Sequence, residues 1–183
     1  MNLLKLILLS ILIFSCSKPV LAPSKTVSTY KDRCSYEVRF SPNGGATENI
    51  VSHIKNTRTS LYATTYSFTS QPITDAIIKL TSHKNHREIG MVLDRSNLTV
   101  KGGRLQDLLD AGIAVYIDSA HSIQHNKVII IDRRWVITGS FNFSAAAESR
   151  NAENSIILDC PNLAEMYIEN FEEHRLHSVI KSN

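Results

Sequence analysis

The chain has 183 residues, with 20 Lys and Arg against 17 Asp and Glu and a formal net charge of +3. That length suits one domain with a sizeable core, and a charged fraction of 20% is ordinary for a globular protein, which excludes a highly charged disordered chain. So weak a positive balance permits a polyanionic partner without demanding one, and it leaves room for a basic groove hidden in the average.

Residues 1–22, beginning MNLLKLILLSILIFSC, read as an export signal: Lys5 supplies a positive n-region and the stretch from Leu6 to Phe14 an apolar h-region. Two processing sites compete. Val20-Leu21-Ala22 is A-x-A-like, although Pro23 directly after it would hinder cleavage. Ile13-Phe14-Ser15-Cys16 resembles a lipobox with Cys16 as the lipid acceptor, although Phe14 is unusual there. An uncleaved anchor is the remaining alternative, for which the apolar run is short. The expectation is an exported protein, periplasmic or secreted, with a membrane tether through Cys16 if the lipobox is used. Residues 23–33 read as a linker and residues 34–183 as a single catalytic domain. With Cys16 lipidated or removed, Cys34 and Cys160 remain. Export would allow a disulfide between them, tying the start of the domain to its last helix; two unpaired thiols are the equal alternative. The cysteines show no metal-ligand spacing.

From Tyr36 onward strands and helices alternate. Residues 36–40 form a short strand and residues 41–45, SPNGG, a turn. Residues 47–57 carry Ile50, Val51 and Ile54 at helical spacing, and 60–68 alternate as a strand. Ser70 can cap the next helix, with Pro72 in its first turn and Ile73, Ile77, Ile78 and Leu80 as its apolar stripe. Residues 88–94 are a strand, 102–110 a helix closed by Gly112, and 113–118 a strand. Strands 126–132 and 134–138 meet tightly at Arg133. Residues 154–158 are the last strand and 162–176 the last helix. The order predicts an α/β fold, a mixed β-sheet flanked by helices on both faces.

Residues 125–132 read HNKVIIID. The run Val128 to Ile131 is apolar and β-branched, as in a strand covered on both faces. His125 and Lys127 stand at its head and project to the same side, so each needs a partner or a cleft. Further on come Gly139-Ser140-Phe141-Asn142-Phe143 and Asn151-Ala152-Glu153-Asn154. Together these supply an imidazole, a fixed cation, a hydroxyl, an amide and a carboxylate, which is what a phosphodiester needs. Lys127 can neutralise non-bridging oxygens, and Ser140 and Asn142 can donate to them more strongly as charge builds. Gly139 allows close backbone approach. Glu153 can hold one ring nitrogen of His125 and leave the other as nucleophile.

His125-Asn126-Lys127 followed by Asp132 resembles the HxKxxxxD motif of the phospholipase D superfamily, and Gly139 to Phe143 is similar to the GSxNF segment that follows it there. Ala63-Thr64-Thr65-Tyr66-Ser67-Phe68-Thr69 and Val92-Leu93-Asp94-Arg95 extend the similarity upstream, so that it covers about residues 36–176. The match is to small single-motif members, both non-specific endonucleases and short phospholipase D-like proteins. The resemblance implies the phospholipase D/nuclease fold and a homodimer, because family catalysis uses two HxK motifs and this chain has one. It implies that His125 of one subunit forms a phosphohistidine while His125 of the other protonates the leaving oxygen and then activates water. It places His125, Lys127, Asp132 and Glu153 in the catalytic set and Lys127, Ser140 and Asn142 on the phosphate, with no metal and no cofactor.

Each residue also has a plainer reading. His125 alone would be a satisfied structural histidine; with its companions it is a site residue. Asp132, a strand length away, is better explained as capping the turn at Arg133-Arg134 than as taking part in the chemistry. His121 is a loop residue or flanks the cleft. His83 and His86 lack companion ligands and read as a solvated helix end. Trp135 and Phe141 can stack on bases or pack under the sheet. Arg133, Arg134, Lys101 and Arg104 can line a nucleic-acid groove or form a solvated rim. The expected activity is metal-independent phosphodiester hydrolysis. A non-specific endonuclease acting on DNA is favoured by small size and mild positive charge, the alternative is a phospholipase D acting on phospholipid, and a non-catalytic binding module is the rival outside enzymology.

Overall fold

A computed structural model describes residues 34–82 and 87–181. The readings of residues 1–33 as signal and linker, and of His83 and His86, lie outside the described residues. In chain order the elements are β1 (Ser35–Ser41), α1 (Ala46–Lys55), β2 (Ser60–Thr65), α2 (Gln71–Thr81), β3 (Glu88–Asp94), a 3-10 turn (Arg95–Leu98), α3 (Leu105–Asp110), β4 (Ala114–Asp118), β5 (Lys127–Ile131), β6 (Trp135–Gly139), α4 (Ala145–Ser149), β7 (Glu153–Asp159), α5 (Pro161–Leu176) and β8 (Val179–Lys181).

The strands form one mixed sheet in the order β1-β7-β6-β5-β2-β3-β4-β8. β2, β3 and β4 run parallel, and all other neighbours are antiparallel. The β5 run explains the layering. Ile129 and Ile131 join the larger core with Ile50, Ile54, Ile73 and Ile77 from α1 and α2, whereas Val128 and Ile130 join a second core with Ala164, Ile168 and Phe171 from α5. A strand buried on both faces has no polar side to show, hence its unbroken apolar run. The expected fold class is the one observed.

Local chemistry sets the element ends. Ser70 occupies the N-cap of α2, but its hydroxyl makes no capping bond. The start of α1 is capped from a distance: Gly45 N and Thr47 N donate to the Glu148 carboxylate of α4 at 3.1 and 2.8 Å. The helix expected over 102–110 begins only at Leu105, because Gly102 turns the chain at φ 74°. Strand β2 stops at Thr65, short of the expected 68. The junction of β5 and β6 is a turn over Asp132 and Arg133, both left-handed at φ 53° and 54°, closed by Arg134 N donating to Ile131 O at 3.0 Å. Cys34 and Cys160 form a disulfide, so of the two readings the paired one is observed.

Candidate active site

Three antiparallel strands bring the site together. Because β6 runs against both β5 and β7, the start of β5, the end of β6 and the start of β7 meet at one end of the sheet. His125, Lys127, Gly139, Ser140, Asn142 and Glu153 line one open cleft of about 380 Å³ there.

Lys127 is the buried member, paired in register with Thr65 of β2. Its Nζ donates to His125 O at 2.6 Å and lies 5.4 Å from the centre of the Tyr66 ring. An ammonium has three donors, so two remain for a phosphate. Burial pushes the Lys127 pKa below the usual lysine range, and the nearby Glu153 charge opposes the shift. His125 is exposed, with its ring 4.9 Å from that of Tyr66.

The loop carrying His125 is fixed from below. Gln124 N donates to Asp94 Oδ2 at 2.8 Å, Asn126 N donates to Gln124 Oε1 at 3.0 Å, and Tyr66 N donates to Asn126 O at 3.0 Å. Burial raises the Asp94 pKa, but hydrogen bonds from Ser96 and Gln124 outweigh it and hold the carboxyl below its ordinary value. Asp94 is thus an ionised anchor for the loop, a role the sequence pattern marked only as part of a similar segment.

Ser140 Oγ accepts from Asn154 N at 3.1 Å, which leaves its own proton free to donate. Asn142 Oδ1 is buried without a hydrogen-bond partner among the described residues, so that oxygen does not tie the amide into the fold. Gly139 serves close approach, but by the protein itself: a Cβ there would collide with the Asn154 carbonyl of β7, and its φ is 137°. Glu153 lines the cleft yet does not hold the His125 ring as expected. It accepts from Asn151 Nδ2 at 3.1 Å, and no hydrogen bond joins it to His125 among the described residues.

Asp132 leaves the catalytic set. It sits at the far end of β5, about 16 Å from Lys127 at a strand's rise per residue. Its carboxylate accepts from Arg58 N, Thr59 N, Thr59 Oγ1 and Ser60 N at 2.8–3.1 Å, clamping the β5–β6 turn to the entrance of β2. Of the residues expected to line a basic groove or rim, Lys101 is exposed and the three arginines are paired. Arg133 pairs with Glu165 and Arg134 with Asp159 at that far end, and Arg104 pairs with Asp107. Trp135 and Phe141 pack into or against the larger core. His121 turns from the cleft to Asp118, 2.9 Å away.

Sequence and structure comparisons place the chain among known proteins. A family model described as cardiolipin synthase, PLD-like domain, matches residues 50–175. The chain is similar to a phospholipase D of Rickettsia felis, 46% identical over 132 residues, covering 72% of this chain and 65% of that protein; it therefore spans less than two thirds of that relative's length. It is 32% identical over 123 residues to a mitochondrial cardiolipin hydrolase of Danio rerio, covering 67% of this chain and 53% of the other. The crystal structure of Nuc, a phospholipase D family member from Salmonella typhimurium, superposes with a TM-score of 0.77 at 33% identity, covering 82% of this chain and 99% of that one.

Proposed function

Since the chain belongs to the phospholipase D superfamily, we propose that it is a phosphodiester hydrolase whose substrate is the head-group phosphodiester of a phospholipid, attacked by His125. The observation that carries the choice of lipid is the character of the cleft's surroundings. Arg133 and Arg134 pair with carboxylates at the far end of the sheet, and Arg104 pairs with Asp107, so these three do not extend the cleft as a basic track. Exposed apolar side chains stand instead on the loops of this sheet end: Ile123 two residues before His125, and Leu98 and Val100 on the segment after β3. Arg95 ties those two loops together by donating to Ser122 O at 3.2 Å. Exposed apolar side chains at the same sheet end as a polar cleft suit an acyl interface. The similarity to a protein named phospholipase D supports the same reading.

In the proposed reaction a ring nitrogen of His125 attacks phosphorus. The N–P bond forms as the P–O bond to the head group breaks, and His125 of a second copy gives the leaving oxygen its proton. That second imidazole, now neutral, takes a proton from water, and the hydroxide cleaves the N–P bond to release phosphatidic acid. Lys127 and the Ser140 hydroxyl stabilise the equatorial oxygens, and the Asn142 amide adds a donor from its nitrogen. The homodimer supplies the second histidine, which a chain with one HxK motif lacks. Export with a Cys16 tether would hold the enzyme at a membrane.

The test measures phosphatidic acid released from phosphatidylcholine and cardiolipin vesicles in EDTA, with His125→Asn as control. Release by the native protein alone is expected. Cleavage of plasmid or single-stranded DNA without lipid turnover would instead favour the second reading, a nuclease, which rests on the similarity to Nuc. A folded dimer with neither activity would refute both. Light scattering after size exclusion tests the dimer, and a fully active monomer would remove the shared site.

A further inference from the structure

A second cluster of chemistry-bearing side chains stands at the same end of the sheet, three strand spacings from Lys127, or about 14 Å. Asp118 ends β4, His121 lies in the loop that leads to His125, His174 is in the last turn of α5, and His177 is the residue that caps that helix. One ligand atom from each lies within 4.8 Å of every other. We propose that Asp118, His121, His174 and His177 form a closed, four-ligand structural site for a divalent cation of the zinc class.

The division of labour on Asp118 is the first argument. Its side chain is fully buried, and Oδ1 accepts from Ala120 N at 3.0 Å and His121 N at 3.3 Å. Oδ2 is left facing three imidazoles: His121 Nδ1 at 2.9 Å, His174 Nδ1 at 3.3 Å and His177 Nε2 at 3.6 Å. One carboxylate oxygen does not accept well-aligned bonds from three rings at once. His174 Nδ1 shows the consequence, being shut from solvent with no aligned hydrogen bond. A cation at the centre would take all three ring lone pairs and the carboxylate oxygen together.

Size and shape agree. Ligands about 2.0–2.1 Å from a tetrahedral zinc stand about 3.3 Å from one another. The carboxylate-to-ring distances of 2.9, 3.3 and 3.6 Å bracket that edge, and the full set, spread over up to 4.8 Å, would draw in around an ion. The ring centroids lie 4.9–5.3 Å apart in edge-to-face pairs, so the imidazoles converge as a tripod. Three nitrogens and one oxygen select zinc-like ions over calcium or magnesium, which prefer all-oxygen shells. Four protein ligands leave no open position, which marks a structural site. The side chains of His121 and His177 are 48% and 36% exposed, which gives an ion its entrance. Bound there, it would join the end of α5 to the loop that positions His125.

The experiment uses the full chain without an affinity tag, stripped with EDTA and dialysed. Zn2+ is titrated against a chromogenic chelator, Co2+ is followed by its visible d–d bands, and melting is recorded with and without Zn2+. One Zn2+ per chain, intense tetrahedral Co2+ bands and a higher melting temperature are expected. His177→Gln and His121→Gln, both at solvent-facing positions, should each weaken Zn2+ at least about tenfold, while His125→Gln keeps the stoichiometry. Substoichiometric binding, weak octahedral Co2+ bands, or His177→Gln binding as tightly as the native chain would overturn the proposal. The native chain's Co2+ spectrum decides it even if a variant fails to fold. Lipid hydrolysis in EDTA is read separately, so the two proposals fail independently.

Discussion

Replacing Asp132 separates a clamp from a catalyst. Its carboxylate receives three backbone amides and one hydroxyl from residues 58–60, with Oδ1 taking a share of every donor. In Asp132→Ala, water can reach the exposed Arg58 and Thr59, and their amides lose little. Ser60 is buried, and stranding its N–H costs about 1–3 kcal/mol. Position 132 is left-handed at φ 53°, which adds about 1 kcal/mol for alanine where aspartate or asparagine is tolerated. The sum is about 3 kcal/mol, or roughly 10 °C in melting temperature for a domain of this size. Asp132→Asn keeps Oδ1 and the left-handed tolerance but loses the charge, so it should cost about 1 kcal/mol, roughly 3 °C. Burial raises the Asp132 pKa, yet the amides of Thr59, Ser60 and Arg58 bring it below the ordinary carboxylate value. The clamp's contribution is therefore full above the unfolded carboxylate pKa and is lost as pH falls through the lower folded one, so native and alanine proteins should converge in acid. Turnover measured below both transitions should stay within about threefold of native. Two variants that melt like the native protein but lose turnover by orders of magnitude would refute the assignment.

Lys127 predicts the alkaline side of the rate profile. Phosphate binding needs its ammonium, and burial lowers its pKa, so activity should fall as pH rises through a value below the ordinary lysine range; Lys127→Arg should abolish that limb, and an unchanged limb would place it elsewhere. Gly139→Ala drives a Cβ into the Asn154 carbonyl and should cost at least about 3 kcal/mol, read by thermal melting; native-like melting would contradict the collision. Reducing the Cys34–Cys160 bond opens a loop with a sequence separation of 126, worth about 5 kcal/mol in the chain-entropy model. A fall of at least about 10 °C on reduction is expected.

The legible part of the site was legible because it is local in sequence. Residues 125–154 run from the start of β5 through β6 to the start of β7, the shared end that carries every cleft residue, so spacing along the chain stood in for position in space. The clamp role of Asp132 could be anticipated from the length of the strand between it and Lys127. Other features depended on partners far along the chain. Arg133 and Arg134 look like free cations until α5 and β7 bring Glu165 and Asp159 beside them. His174 and His177 carry no motif in the sequence and gain partners only because the end of α5 lies beside the end of β4. β8 is three exposed residues with no apolar period, and α4 is one short turn, so neither gives a pattern to read.

The pairing of β1 with β7 has a consequence for how the domain is made. Ser35 meets Asp159 in register, so the first strand of the domain to be synthesised has no neighbour in the sheet until nearly all the others exist. During vectorial synthesis β1 waits while β2, β3 and β4 can pair nearby, and only β8, at the opposite edge, is made after β7, the strand that β1 needs. Until then β1, with its exposed Tyr36 and Phe40, is a strand in search of an edge, and crowding of nascent chains would be the condition under which it finds a foreign one.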